Sequence, residues 1–343
     1  MKKKIWTSII AVAAVAAALS ACGNTVTTSS RAGNNGSSGL GKPEYANSDS
    51  AVGKKNEKRL SIVCTNFPEY DFARQIAGDK ADITMLLKPG AESHTYEPTP
   101  EDIITIQNSD MFVYVGGDSD EWVADVLSSM DQSKMTVFKL MDQVKTVEEE
   151  TVEGMEPEKE ESGEEEEPEM DEHVWTSPIN AITIMENMEK TMEKLDPADK
   201  NSYKENAEAY ISQLQDLDAQ FRDVVNHSKR KEIIVADRFP FRYFCEEYGL
   251  TYYAAFPGCS TDTQPAAKTV AFLTDKVKED KIPVVFHIEL SNEEMADTIA
   301  EATGAKSVLL NAIHNVSDED FKNGATYVSL MQHNVKALQE ALN

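Results

Sequence analysis

From residue 60 onward, short apolar runs rich in β-branched residues recur along the chain, and each is followed by a stretch with helical spacing. Runs at 60–64, 83–87, 111–115 and 136–140 are interleaved with helical patterns at 69–77, 101–108 and 121–130. Strands separated by helices need crossover connections, so the alternation predicts a parallel sheet covered by helices. Two longer helical stretches follow, at 177–195 and 196–227. The alternation then resumes, with strands at 232–236, 251–256, 284–289 and 307–310 and helices at 241–248, within 263–280, at 293–303 and at 327–342. The fold class is α/β: two doubly wound units, 60–195 and 231–343, on either side of a long helical stretch within 196–230. Pro197 suits a first helical turn, and Glu205, Ala209, Ile211, Leu214, Leu217 and Phe221 supply three- and four-spaced positions for one buried face. A helix of about 28 residues spans roughly 40 Å, the size of a lobe.

The N-terminus reads as a targeting segment. Lys2-Lys3-Lys4 precedes a short Ala-rich apolar run at 9–19, and Leu19-Ser20-Ala21-Cys22 follows. The run is too short for a transmembrane helix. A cysteine directly after it reads as a bacterial lipobox, with cleavage before Cys22 and lipidation of its thiol. The protein is then exported and held to the outer side of the cell membrane by lipid. Residues 23–59 carry almost no large apolar side chains and read as a flexible tether.

Net charge is −27. With no basic stripe, nucleic acid is excluded as a partner. About half of the excess lies in one insert, 148–172, where 15 acidic residues face one lysine. Like charge without apolar periodicity predicts a mobile loop. Because it ends at His173, it either solubilises the chain or concentrates cations beside a cleft. Beyond Cys22 three cysteines remain. Cys245 and Cys259 are close enough in sequence to bridge, whereas Cys64 reads as a small buried residue.

Two motifs carry the chemistry. Lys88–Pro100 reads KPGAESHTYEPTP: a Pro-Gly turn, then His94, then Thr99 placed to cap a helix starting at Pro100. This puts His94 past a strand end and ahead of a helix, where α/β sheets present ligands. The second motif, DEHVWTSP, carries His173. Together they resemble the metal-binding lipoproteins that deliver zinc or manganese to ABC importers, and the similarity runs in order from about residue 60 to the C-terminus. The resemblance implies two lobes joined by a rigid helix that limits their movement, with one divalent cation in the cleft. It also implies a monomer whose partners are a membrane permease and its ATPase subunit. His94 and His173 match family ligands. The third family position falls on Arg238 in ADRFPFRYF, and arginine cannot coordinate a cation. The fourth falls near Asn311.

Other residues then have to complete the shell. Of six histidines, His227 and His333 read as surface or helix residues. His287 and His314 lie at or just past strand ends and are the expected replacements, with Glu289 and Asp237 as reserve oxygen donors. Arg238 and Glu92 read as outer groups that order the ligands. An imidazole-rich set favours Zn²⁺, with Mn²⁺ as the alternative. No nucleophile elbow, HExxH or P-loop is present, so no enzyme is expected. Two rivals stay open: a metal-dependent surface hydrolase using Glu289 or Glu92 as base, and an adhesin or sensor on the same fold.

Overall fold

The first lobe runs β1 (Leu60–Cys64), α1 (Phe67–Ala77), β2 (Ala81–Met85), α2 (Pro100–Gln107), β3 (Met111–Tyr114), α3 (Glu121–Ser128) and β4 (Thr136–Lys139). These come from a computed structural model, which describes residues 59–155, 169–260 and 265–343. The four strands are parallel in the order β2-β1-β3-β4. After α4 (Pro178–Leu195) and α5 (Lys200–Asn226), the second lobe runs β5 (Glu232–Phe239), α6 (Arg242–Tyr248), β6 (Thr251–Pro257), α7 (Ala267–Glu279), β7 (Val284–His287), α8 (Glu294–Thr303), β8 (Lys306–Leu309), α9 (Asp318–Lys322) and α10 (Tyr327–Leu342). Its sheet is again parallel and repeats the first order, β6-β5-β7-β8. Winding reverses between β1 and β3 in one sheet and between β5 and β7 in the other. A crevice opens past the carboxyl ends of strands at such a switch.

Thr99 caps α2 as its position predicts. Its hydroxyl accepts from the Asp102 N–H, the Asp102 carboxylate accepts from the Thr99 N–H, and Pro100 opens the helix. The capped helix fixes where the His94 loop ends.

α5 buries Tyr203, Ala207, Tyr210, Leu214, Leu217, Phe221 and Val225, a stripe spaced by three and four. This corrects the sequence reading: Glu205 and Ala209 are exposed and Ile211 is half-buried. The true face runs through tyrosines, whose rings pack while their hydroxyls are satisfied. Tyr203 donates to Asp196 at 2.8 Å and Tyr210 to Asp71 at 2.8 Å. Asp71, fully buried on α1, also accepts from Arg74 and from the Tyr327 N–H at 2.6 Å. One carboxylate thus ties α1, α5 and α10 together.

Trp175 joins the lobes. Its buried indole N–H donates to the Ala312 carbonyl at 2.8 Å, and the Tyr327 hydroxyl donates to the Trp175 carbonyl at 2.7 Å. Nearby, the Asn315 amide donates to the carbonyls of Lys88 and Ala91 at 2.7 and 2.9 Å. The loop after β2 is therefore pinned to the loop after β8.

Both ends of the acidic insert are structured, against the expectation of a loop mobile from 148 to 172. Glu148 and Met170 form an antiparallel bridge, flanked by hydrogen bonds from Glu149 to Glu169 and from Asp171 to Val147. The Tyr243 hydroxyl of α6 clamps this base, donating to the Asp171 carbonyl at 2.7 Å and accepting from the Val147 N–H at 3.3 Å. Residues 156–168 lie outside the described residues, as do the targeting segment with Cys22 and the tether up to residue 58. Among the described residues no helix is long and apolar enough to cross a membrane.

The bridge between Cys245 and Cys259 is not formed; both are free thiols, as is Cys64. The Cys245 carbonyl accepts from Leu250, at the start of β6, whereas Cys259 lies just past the end of that strand. Seven strand residues separate the two by roughly 20 Å, far beyond the ~7 Å Cα limit for a disulfide.

Glu69, fully buried in the first turn of α1, completes a capping box with Asn66 and accepts from Thr65. Burial raises its carboxyl from 4.5 to about 6, against hydrogen bonds from Thr65 and Asn66 that lower it. The folded chain therefore holds this proton more tightly than the unfolded one. The stability so contributed is complete below about pH 4.5 and is lost as pH rises through about 6. Glu69→Gln, which has no proton to lose, should show a shallower fall in thermal stability across that window, by about 2 kcal/mol at neutral pH. Parallel pH profiles for parent and variant would contradict this.

Candidate metal centre

Each of three loops delivers one histidine to the crevice. His94 follows β2, His173 ends the acidic insert just ahead of α4, and His314 follows β8. Their ring centroids are 5.9 Å (His94–His173), 5.1 Å (His94–His314) and 4.9 Å (His173–His314) apart. All three side chains are buried.

In each ring Nδ1 faces a carboxylate. His94 Nδ1 lies 2.9 Å from Glu92 Oε1, His173 Nδ1 3.0 Å from Asp171 Oδ1, and His314 Nδ1 3.2 Å from Glu289 Oε1. A carboxylate can only accept, so the Nδ1 proton points at it and the lone pair resides on Nε2. All three Nε2 atoms are buried and, among the described residues, have no hydrogen-bond partner. Three orphaned acceptors side by side are costly unless something electropositive fills the gap between them. This is how imidazole groups bind a metal, each with its outer nitrogen held by a carboxylate.

The carboxylates are themselves fixed. Glu92 takes a forked contact from Arg238, 3.2 Å from Nη1 to Oε1 and 3.0 Å from Nη2 to Oε2, and Arg238 Nη1 lies 3.1 Å from His94 Nδ1. Burial opposes ionisation of Glu92, but His94 and Arg238 outweigh it and hold the carboxyl far below the usual range. Asp171 also accepts from the His173 N–H at 2.8 Å. Glu289 accepts from the N–H groups of Ala312 and His314 at 2.6 and 2.9 Å. Between them Ile313 is held at φ 64°, a strained conformation for a β-branched residue, and the resulting turn presents His314.

Burial keeps His314 neutral, well below its ordinary pKa, reinforced by the positive charge that His173, His94 and Arg238 can carry. For His173 burial acts in the same direction, but Asp171, with Glu172 and Glu149 behind it, more than reverses it. A field that favours a proton there also favours a metal cation.

His287, the fourth expected imidazole, is not brought to this cluster. At the end of β7 it turns Nδ1 toward the Ile288 carbonyl at 3.2 Å and lines a separate cavity of about 160 Å³ with Glu293, Asn315 and Asp320. Asn311 is also elsewhere, exchanging hydrogen bonds with Asn334. The reserve donors are occupied: both Glu289 oxygens hold the 312–314 loop, and Asp237 accepts from the N–H groups of Arg238 and Ile288.

Two residues that the sequence did not mark as ligands stand close by. Glu172 and Cys259, both buried, have donor atoms that lie with those of His94 and His173 all within 4.8 Å of one another. Glu172 accepts from the Ser119 N–H at 3.0 Å and from the Ser119 hydroxyl. Burial, then Glu172, pushes the Cys259 thiol well above its usual value. Two glycines make room: a β-carbon on Gly117 would stand 2.4 Å from Glu172 Cβ, and one on Gly258 2.8 Å from His173 Cε1. No pattern in the sequence marks these contacts, because Gly117 and Gly258 are remote from Glu172 and His173 along the chain.

Glu289→Gln keeps one accepting oxygen for a loop that uses two. Urea unfolding should show a loss of about 1–3 kcal/mol, and cation titration a weakening of about 10–100-fold, as expected for an outer partner of a ligand. Unchanged values on both would show that the 312–314 loop does not depend on this carboxylate.

Known proteins resemble this chain in sequence and fold. Residues 62–341 match the family described as "ZnuA: Zinc-uptake complex component A periplasmic". The chain is 34% identical over 339 residues to the "High-affinity zinc uptake system protein ZnuA" of Bacillus subtilis, covering 99% of this chain and 98% of that one. It is 33% identical over 287 residues to the "Zinc-binding lipoprotein AdcA" of Streptococcus pneumoniae, where it spans only 56% of the relative's length. Among solved structures, the Zn(II)-bound ZnuA-like domain of S. pneumoniae AdcA superposes with a TM-score of 0.69 at 32% identity, covering 83% of this chain and 99% of that one. The metal-dependent lipoprotein YcdH of B. subtilis gives 0.71 at 33% identity, covering 83% and 100%. From this match and the two-lobed fold around three converging imidazoles, the chain belongs to the ZnuA family of zinc-uptake components.

Proposed function

We propose that this chain captures Zn²⁺ in the crevice between its lobes and delivers it to a membrane permease powered by a separate ATPase subunit. The observation that carries the proposal is the convergence of three buried Nε2 lone pairs, each backed by a carboxylate on Nδ1. Imidazole nitrogens suit zinc better than manganese, which favours oxygen donors. His94, His173 and His314 are the donors in this reading. Glu92, Asp171 and Glu289 orient them, and Arg238 holds Glu92. Relatives named for zinc binding and zinc uptake support the choice of cargo.

The chain acts by coordination and release rather than by turnover. Glu289 and Glu92, the two candidate bases of a hydrolase, are committed to the 312–314 loop and to Arg238. The lobe boundary falls at α5, which packs on α1 and α4 of the first lobe and on α6 and α10 of the second. An uninterrupted helix there limits how far the lobes can part. The chain works as a monomer on the outer side of the membrane, anchored through lipid on Cys22.

Zinc titration of the purified protein tests the ligand set. His94→Ala, His173→Ala and His314→Ala should each weaken binding by more than the roughly 10–100-fold that loss of an outer partner costs. His287→Ala should bind like the parent. Parent-like affinity in the first three variants, or a large loss in the fourth, would move the site elsewhere. Mass spectrometry of the membrane-extracted protein, reading a diacylglyceryl mass on Cys22 that Cys22→Ser removes, tests the anchor.

A further inference from the structure

Three imidazoles leave a tetrahedral cation one donor short, and the two obvious second-lobe candidates are unsuited. Arg238 is a fixed cation forked onto Glu92, and His287 faces another cavity. What the second lobe does bring to the crevice, besides His314, is the loop after β6. Its Gly258 and Cys259 N–H groups are held by Glu149 Oε1 at 2.7 and 3.3 Å. Gly258 lies against His173, close enough that a β-carbon would collide with the ring. Cys259, 8% exposed, places Sγ within 4.8 Å of donor atoms on both His94 and His173.

We propose that Cys259 Sγ is the fourth donor to the cation, giving a set of three imidazoles and one thiolate. It rests on the crevice being the cation site, and it names the donor that completes that site. Each lobe then supplies two donors: His94 and His173 from the first, His314 and Cys259 from the second. Ligand atoms around a tetrahedral zinc with bonds of ~2.0–2.3 Å stand roughly 3.3–3.7 Å apart. The donor atoms of His94, His173 and Cys259, within 4.8 Å of one another, therefore need only about an ångström of contraction, and the His314 ring packs against both histidines. On binding, the S–H bond breaks, a metal–sulfur bond forms and the proton leaves to solvent. Glu172 is the rival donor, but both its oxygens already accept from Ser119. A thiolate also sharpens selectivity, because it favours zinc and cadmium over manganese.

Cobalt(II), which takes zinc's place and is coloured, separates the possibilities. The parent protein loaded with one equivalent should show visible ligand-field bands together with a near-ultraviolet sulfur-to-cobalt charge-transfer band. Cys259→Ser should keep the visible bands and lose the charge-transfer band, with zinc affinity falling at least tenfold and manganese affinity changing less. If the parent binds one cobalt, lost in His173→Ala, yet shows no charge-transfer band, Cys259 is not a donor and the transport reading stands. If the parent binds no stoichiometric cobalt, or His173→Ala binds it equally, the crevice is not the cation site and both proposals fall together.

Discussion

A buried imidazole can offer its Nε2 lone pair only if something else holds the proton on Nδ1, and this requirement organises the molecule. Each of the three carboxylates that meets it must in turn be kept in place without water. Glu92 is held by a guanidinium, Asp171 by the main chain of the residue it serves, and Glu289 by two main-chain donors of a strained turn. Three different solutions to one electrostatic problem converge within a few ångströms. Glu92 and Glu289 lie just past the carboxyl ends of β2 and β7, and Asp171 comes in from the insert ahead of α4, so the site needs both sheets and the insert in place.

Trp175 keeps them there. It stands two residues after His173, donates to the Ala312 carbonyl, and lies with its ring edge-on to His314. The same side chain, which also packs against His173 of its own lobe, is thus hydrogen-bonded to and packed on the other. The acidic insert adds a second tie from the opposite flank. Glu149 holds the Gly258–Cys259 backbone, while Glu150 accepts from Tyr252 and pairs with Arg242. Its carboxylates are therefore partly structural, and the charge run cannot be treated as solvent-facing throughout.

Much of this was legible in the sequence because it is local. The β-α alternation follows from apolar periodicity, the α2 cap from Thr99-Pro100 and Asp102, and the placement of His94 from a turn between a strand and a helix. What failed was non-local. The α5 face was misplaced because tyrosines with buried hydroxyl partners on distant elements look polar along the chain. His287 closes β7 and His314 follows β8, both at strand ends along the chain, and the Glu289-bound turn carries only the second ring into the crevice. Cys245 and Cys259 are near in sequence but lie at opposite ends of a strand. The insert's ends pair through Glu148 and Met170, across a gap that no charge count can bridge.

Gly117 and Gly258 show how far this dependence reaches. Neither bears a donor, yet the positions of Glu172 and His173 exist only because no β-carbon occupies the space beside them. The crevice is defined partly by atoms that are missing. A single methyl at either place would behave as a wedge fixed to the main chain, which no concentration of cation could displace. Inheritance of the site therefore depends on two residues that a search for coordinating side chains would pass over.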